Sequence, residues 1–339
     1  MSASLPRTSA LLGACVLLGA AACARQPLLE NPNLDRLGAL AQEVDGAALM
    51  ATVNGLVQDH GADTPLACTD EQSRLYTPLC HLTHDKARAR IEAQLAGRGL
   101  TVTHQELVAR TGLPLSNVIA ELPGASHPEE IVLVGAHYDA FYAGADDNST
   151  GVAAVLELAR VLSQHRFDRT LRFVAFDQEE LGGIGSDAYV DETRGEHLVN
   201  AVIYDCIGYY DTRPGSQTSL PGLPTPSAAD FIAGISNDTS SQRLAELNAL
   251  NDALQLAHLV TLTTPRSSTF PLGSALLRSD HSPFWFSGQE ALFLTDTANF
   301  RNPHYHQDTD TVDTLDPARY TQVVRLSAAG LAYWAGGPL

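Results

Sequence analysis

The residues best suited to chemistry in this 339-residue chain sit in five short polar clusters, each before or after an apolar run. His137-Tyr138-Asp139 follows Ile131 to Ala136 (IVLVGA), and Gly144-Ala145-Asp146-Asp147-Asn148 comes next, before an apolar stretch of helical character. Asp177-Gln178-Glu179-Glu180 ends the run Leu171 to Phe176 (LRFVAF), and Asp205 ends Val199 to Tyr204 (VNAVIY). His304-Tyr305-His306-Gln307-Asp308 lies downstream of Ala291 to Leu294. Imidazole nitrogens and carboxylate oxygens without thiolates suit Zn²⁺ or another divalent first-row ion. Two histidines and three carboxylates exceed what one catalytic zinc with an open water position needs. They fit two ions about 3.5–4 Å apart with a carboxylate spanning them, and they leave one acid free as a base. The residues alone do not order Glu179 against Glu180, Asp146 against Asp147, or His304 against His306.

Elements must exist to bring these clusters together. Asn117 to Leu122, Ile131 to Ala136, Leu171 to Phe176, Val199 to Tyr204 and Ala291 to Leu294 read as strands. Helices are expected over Gly151 to Leu162, Thr239 to Leu256 and Pro317 to Trp334, and from a cap at Thr83 to Ala96, with Gly97 and Gly99 closing it. Residues 34 to 60 carry Leu34, Leu37, Leu40, Val44, Leu49, Val53 and Leu56 at roughly helical spacing. Such alternation predicts a three-layer α/β/α sandwich around a mixed, mostly parallel sheet. Ligands gather outside the carboxyl ends of strands in such sheets, so the clusters can share one crevice. Asp211 to Ala229 and Thr261 to Ser279 read as irregular, and both are expected to border the substrate cleft.

The blocks GAHYD, GADDNSTGVAAVLELAR, FVAFDQEELGGIGS, YDCIG, SDHSPF and YHQDTDT occur in this order. Together they resemble the dinuclear zinc aminopeptidases, in the metallopeptidase clan that also holds glutamate carboxypeptidases and glutaminyl cyclases. The resemblance spans roughly residues 75 to 335. It implies His137, Asp147, Glu180, Asp205 and His306 as ligands of two Zn²⁺ ions, with Asp147 as the bridge. It implies Glu179 as general base and a cis peptide after Asp147, and it prefers His306 to His304. Asp139 is expected to hold the second ring nitrogen of His137, and Asp310 that of His306. Tyr305 is a candidate oxyanion donor, and His281 a supporting residue. The implied function is an exopeptidase acting on peptide substrates, most simply an aminopeptidase. A carboxypeptidase or dipeptidase would need a basic group for a substrate carboxylate, and Arg266, Arg278 and Arg301 lie in suitable loops. A glutaminyl cyclase would use one zinc, and an inactive binding ectodomain would have lost ligands that are all present here.

Composition limits the alternatives. Net charge is −18 and Lys86 is the only lysine, a surface that repels phosphate backbones and argues against nucleic-acid partners. Hydrophobic residues make up 44%, ample for a core. Gly182-Gly183-Ile184-Gly185 lacks dinucleotide-binding spacing, and Asn148 and Asn237 begin sequons read as unglycosylated.

Residues 1–22 are expected to be a signal peptide. Arg7 precedes the apolar stretch Leu11 to Ala22, too short to span a membrane, and Ala20-Ala21-Ala22 precedes Cys23. Ala-Ala-Ala-Cys resembles a lipobox, so Cys23 is expected to carry a lipid anchor on a cell-envelope lipoprotein; cleavage alone would give a secreted protein. Residues 23–33 read as a tether, and 34–339 as a single peptidase domain. In an oxidising compartment Cys68 and Cys80 are the expected disulfide, and Cys206 a buried free thiol.

Overall fold

The computed structural model describes residues 33–66, 76–109, 112–219, 225–265 and 275–339. The leader, Cys23, Cys68 and Arg266 therefore lie outside the described residues. The chain runs α1 (Leu34–Gln42), α2 (Gly46–Ala62), β1 (Leu82–Thr83), α3 (Asp85–Ala96), β2 (Thr101–Val108), β3 (Pro114–Leu122), β4 (His127–His137), β5 (Ala140–Phe141) and α4 (Gly151–Leu162). It continues through β6 (Arg169–Phe176), α5 (Ile184–Glu192), β7 (His197–Tyr204), β8 (Ile232–Asn237), α6 (Ser241–Leu254), β9 (Leu259–Thr264), α7 (His281–Ser287), β10 (Ala291–Thr295) and α8 (Pro317–Trp334).

Eight strands form one sheet in the order β2-β3-β6-β4-β7-β10-β8-β9. The centre, β6-β4-β7-β10, is parallel throughout, as is β8-β9, while β2-β3, β3-β6 and β10-β8 are antiparallel. Side chains alternate across a strand, and each central strand serves two cores. Val132 and Val134 of β4, Val202 and Tyr204 of β7, and Leu292 and Leu294 of β10 join a core under α1, α2, α3, α4, α6 and α8. Leu133, Ala201, Ile203, Ala291 and Phe293 point to the opposite core, shared with Tyr189 and Val190 of α5 and Phe284 and Trp285 of α7. This is the expected α/β/α sandwich. Burial on both faces explains why the central strands are apolar without alternation in sequence.

Three local readings are corrected. The helical spacing over residues 34 to 60 resolves into two helices, α1 and α2, which pack on α8 and α4. Thr83 is not a helix cap: it pairs with Ala140 in the small β1-β5 ribbon, and His84 occupies the cap position of α3 without a side-chain cap bond. Residues 261–264, read as irregular, are the second half of β9, an edge strand parallel to β8.

His60 of α2 is 4% exposed, and its Nδ1 lies 2.9 Å from Thr83 Oγ1. Burial lowers its pKa from 6.5 to about 4, against the opposing pull of Asp139, Asp63 and Asp59. Because the unfolded chain takes this proton first, the fold keeps the contribution above pH 6.5 and loses it as pH falls toward 4, by about 3 kcal/mol at most. His60→Gln retains an acceptor for Thr83 without the titration. The variant is expected to lose less melting temperature than the parent between pH 7 and pH 4.5; equal losses in parallel thermal melts would refute the assignment.

Candidate active site

The carboxyl ends of β4, β6 and β7 lie side by side, and the clusters that follow them meet there. His137 is the last residue of β4, Glu179 and Glu180 sit on the turn after β6, and Asp205 follows β7. Asp146 and Asp147 lie in a distorted turn, Ala145–Thr150, between β5 and α4, whose φ/ψ is non-helical at Asp147 and Asn148. The Asp147–Asn148 peptide is cis. His306 arrives from the long loop after β10 in a left-handed conformation, φ 58°.

The distances define two groups sharing one carboxylate. His137 Nε2 lies 3.3 Å from Asp147 Oδ1 and 3.9 Å from Asp205 Oδ1. His306 Nε2 lies 2.9 Å from Asp147 Oδ2 and 3.1 Å from Glu180 Oε1. Within His137–Asp147–Asp205, and again within Asp147–Glu180–His306, one ligand atom per residue falls within 4.8 Å of the others. His137 Nε2, Asp147 Oδ2, Glu180 Oε1 and His306 Nε2 are buried and make no hydrogen bond. Buried polar atoms are otherwise nearly always paired, so this set fits a cation on each side of Asp147. A third grouping, His127, Glu129 and Glu130, lies at the opposite end of β4, where Arg169 already pairs with Glu130.

The electrostatics agree. Although burial opposes it, His137 is drawn well above its ordinary pKa by Asp139, Asp147 and Asp205. His306 is raised to about 12 against burial, by Glu180 and Asp147. Burial and the Asp147 charge push Glu180 up to about 8. Glu179 is raised well above the usual carboxylate range by burial, with His137 opposing and Glu180, Asp205 and Asp280 adding to it. The acids outnumber the imidazoles, and the pocket is built to hold positive charge.

Two supporting residues differ from expectation. Asp139 holds His137 Nδ1 through its backbone carbonyl, at 3.0 Å, with its carboxylate 3.5 Å away. That carboxylate instead accepts the N–H groups of Glu179 and Glu180, at 3.0 and 3.1 Å, and fixes the turn carrying both glutamates. Asp310 does not touch the ring of His306; its carboxylate accepts the N–H groups of Asp146 and Asp147 at 3.0 to 3.1 Å. In both cases an aspartate sequence-close to a histidine serves backbone N–H groups instead of the ring. Sequence reasoning missed the partner of His306 Nδ1: it is the hydroxyl of Tyr76, at 2.5 Å. No periodicity or motif marks that tyrosine.

The remaining candidates fall into place around this centre. Asp146 is buried, accepts from Gly208 N and Asn302 Nδ2, both at 2.8 Å, and belongs to neither ligand group. His304 bonds Thr309 Oγ1 instead of joining them. His281 is stacked on Phe293 and bonded to the carbonyl of Leu276. Asn148 and Asn237 are 1% exposed, in keeping with unglycosylated sequons. Cys206 is a buried free thiol and Cys80 is disulfide-bonded. Tyr305 stacks on His306, ring centroids 3.7 Å apart, and its hydroxyl accepts from Arg278 Nη2 at 3.1 Å. Arg301 is buried, its guanidinium committed to Gln217, Thr297 and the Phe231 carbonyl.

Two cavities flank the centre. One, of about 320 Å³, reaches Asp205 and is walled by Phe231, Ala233, Ile235, Leu262, Phe293 and Phe300. The other, also about 320 Å³, holds Glu179, Glu180, Ser279 and His306. Arg278 and Tyr305 line both and stand between them. Gln217, Thr218, Thr225, Thr261 and Ala275 also line the first cavity, so both irregular stretches border the cleft through their described residues.

Comparison with known proteins agrees with this geometry. An uncharacterized protein of Escherichia coli K12, YfbL, is 33% identical over 251 residues, covering 69% of this chain and 75% of its own. Aminopeptidase YwaD of Bacillus subtilis is 30% identical over 217 residues, 60% of this chain and 41% of its own length. The crystal structure of LapA aminopeptidase from Legionella pneumophila shares the fold, with a TM-score of 0.64 at 17% identity over 92% of this chain and 78% of that one. The model of peptidase family M28 matches residues 117–331, a span that contains every ligand candidate, and the chain is a member of that family of metallopeptidases.

Proposed function

We propose that this protein is a zinc aminopeptidase that removes apolar residues from free peptide N-termini, with two zinc ions held by His137, Asp147, Glu180, Asp205 and His306. The observation that carries the reading is the shared carboxylate: Asp147 turns one oxygen to His137 and the other to His306. Zinc ions bound there would polarise the scissile carbonyl and lower the pKa of a water held between them toward ~7.

The chain's own residues then have distinct tasks. Glu179, on a turn fixed by Asp139, takes the proton from the attacking water and delivers it to the departing amine. Tyr305 accepts a hydrogen bond from Arg278 through its oxygen, which leaves its own proton free for a developing oxyanion. A free ammonium is favoured beside Glu179, Glu180 and Asp205, whereas a terminal carboxylate is repelled. Arg301 is spent inside the protein, so among the described residues Arg278 is the arginine lining the cleft. This supports an aminopeptidase over a carboxypeptidase. The paired ligand groups support two metals over the single zinc of a cyclase. The cavity walled by Phe231, Ile235 and Phe293 supports a substrate with a large apolar side chain.

Among the described residues no helix is long and apolar enough to cross a membrane. We read the chain as exported, with a lipid anchor at Cys23; the disulfide at Cys80 suits an oxidising compartment.

Glu179→Gln is expected to keep both zinc ions, measured by atomic absorption, and to lose about 10²–10⁴-fold in kcat. Near-normal turnover would remove Glu179 from the base role. On aminoacyl p-nitroanilides, leucine and phenylalanine derivatives should exceed alanine by about 10–150-fold in kcat/KM, the worth of burying the larger side chain. A chelator or N-acetylation should abolish release; hydrolysis of the acetylated substrates at equal rates would rule out recognition of a free amine.

A further inference from the structure

His306 poses a requirement that the family span does not meet. A histidine that gives Nε2 to a metal carries its proton on Nδ1, and that proton needs an acceptor to hold the ring in place. Asp310 is occupied by the backbone of Asp146 and Asp147. The acceptor is the Tyr76 hydroxyl, 2.5 Å from Nδ1. The Tyr76 ring meets Phe141 edge-on, centroids 5.7 Å apart, and Phe141 meets the imidazole edge-on at 4.7 Å. Tyr305 stacks against the same imidazole. Of these three aromatic neighbours, Tyr76 supplies the polar contact.

Tyr76 lies outside residues 117–331, the part of the chain that matches the family. Its segment is anchored twice. Thr77–His81 forms a short helical turn containing the disulfide-bonded Cys80, and Leu82–Thr83 then pairs with Ala140–Phe141, which places the segment beside the strand that carries Phe141. The N-terminal extension is thus tied to the site by a strand ribbon and one hydrogen bond to the His306 ring.

We propose that Tyr76 is the positioning residue for His306, so that the segment preceding the family core completes the cation site formed by Asp147, Glu180 and His306. The proposal rests on the reading of His306 as a metal ligand. With Nδ1–H donating to the tyrosine oxygen, Nε2 keeps its lone pair toward Asp147 and Glu180. Tyr76→Phe retains the ring against Phe141 and removes only the acceptor.

The test uses the zinc-loaded full protein and follows transfer of zinc to a chromophoric chelator. Two kinetic phases are expected from the parent. Tyr76→Phe should weaken one zinc by about 10–100-fold and leave the other unchanged, with the melting temperature of the metal-free protein unaltered. In cobalt-substituted protein the same variant should change the visible absorption of one ion only. His306→Ala should abolish the same phase, and adding Tyr76→Phe to it should have no further effect. If His306→Ala leaves both phases intact, the ligand reading itself fails. If His306→Ala removes a phase while Tyr76→Phe changes neither affinity nor spectrum, Tyr76 is only a wall of the cleft. A Tyr76→Phe effect that persists in the His306→Ala background would place its action elsewhere and overturn the proposal.

Discussion

Everything in this site depends on one buried carboxylate that must serve two imidazoles at once. Asp147 is 4% exposed, yet His137 and His306 hold it below the ordinary carboxylate range in spite of its burial. A buried charge is tolerable only where partners and hydrogen bonds surround it. The surrounding structure accordingly fixes the backbone on either side. Asp310 accepts the N–H groups of Asp146 and Asp147, and Asn148 reaches the Tyr204 carbonyl and accepts from Gly151 and Cys206. Gly144, at φ 53°, cannot carry a side chain there, because an added Cβ would lie 2.7 Å from the Asp147 carbonyl oxygen. The distorted turn is therefore locked to β7 and to the loop before α8, and the orientation of one side chain is set by residues up to 163 positions away.

The same logic orders the glutamates. Asp139 and Asp177 sit under the Glu179–Glu180 turn from two directions. Asp139 takes the two N–H groups of the turn, while Asp177 binds His84 Nδ1 at 2.7 Å and the Ser116 N–H at 3.0 Å. Gly185, at the start of α5, passes so close to Asp177 that a Cβ would meet its carbonyl at 2.2 Å. The proposed base and the proposed ligand are adjacent residues, and a rigid turn suits both roles, because a shift of about 1 Å at either is costly in rate.

How much of this was legible in the sequence follows from where the determining contacts lie. The central strands were readable because both faces are buried and the sequence has no reason to alternate, and the ends of α4 and α8 fall where the apolar pattern stops. The edge strand β2 was not, since Thr101–Val108 (TVTHQELV) buries only Gln105 and pairs through its backbone with β3. Strand β9 was hidden for the same reason: a threonine-rich edge resembles a loop until its neighbour is known. Within the site, residue type and spacing gathered the clusters and the family resemblance chose among neighbouring residues, but the tasks of Asp139 and Asp310 were assigned to the nearest histidine. Proximity in sequence identified the acid; the backbone donors it serves became visible only in three dimensions. Tyr76 illustrates the limit most clearly, since its partner is 230 residues away.

This separation between what the strand ends supply and what the loops supply has a physical consequence for specificity. His137, Glu179, Glu180 and Asp205 sit at the ends of β4, β6 and β7, whose backbones are fixed by sheet hydrogen bonds and by two cores, while Asp147 lies in the turn before α4 and His306 in the loop after β10. The apolar cavity is built differently: Phe231, Ala233 and Ile235 come from the antiparallel side of the sheet, and Phe300 from the loop after β10. Arg278 and Tyr305 belong to neither system and partition the two cavities through a single hydrogen bond. Substitutions in the apolar wall can therefore change which side chain fits while leaving the distances around Asp147 untouched, because among the described residues none of Phe231, Ala233, Ile235, Leu262, Phe293 and Phe300 shares a side-chain hydrogen bond with a candidate ligand. The candidate centre and the apolar cavity are thus mechanically separate, except at Tyr305, where the wall of the cavity stacks directly on the His306 ring.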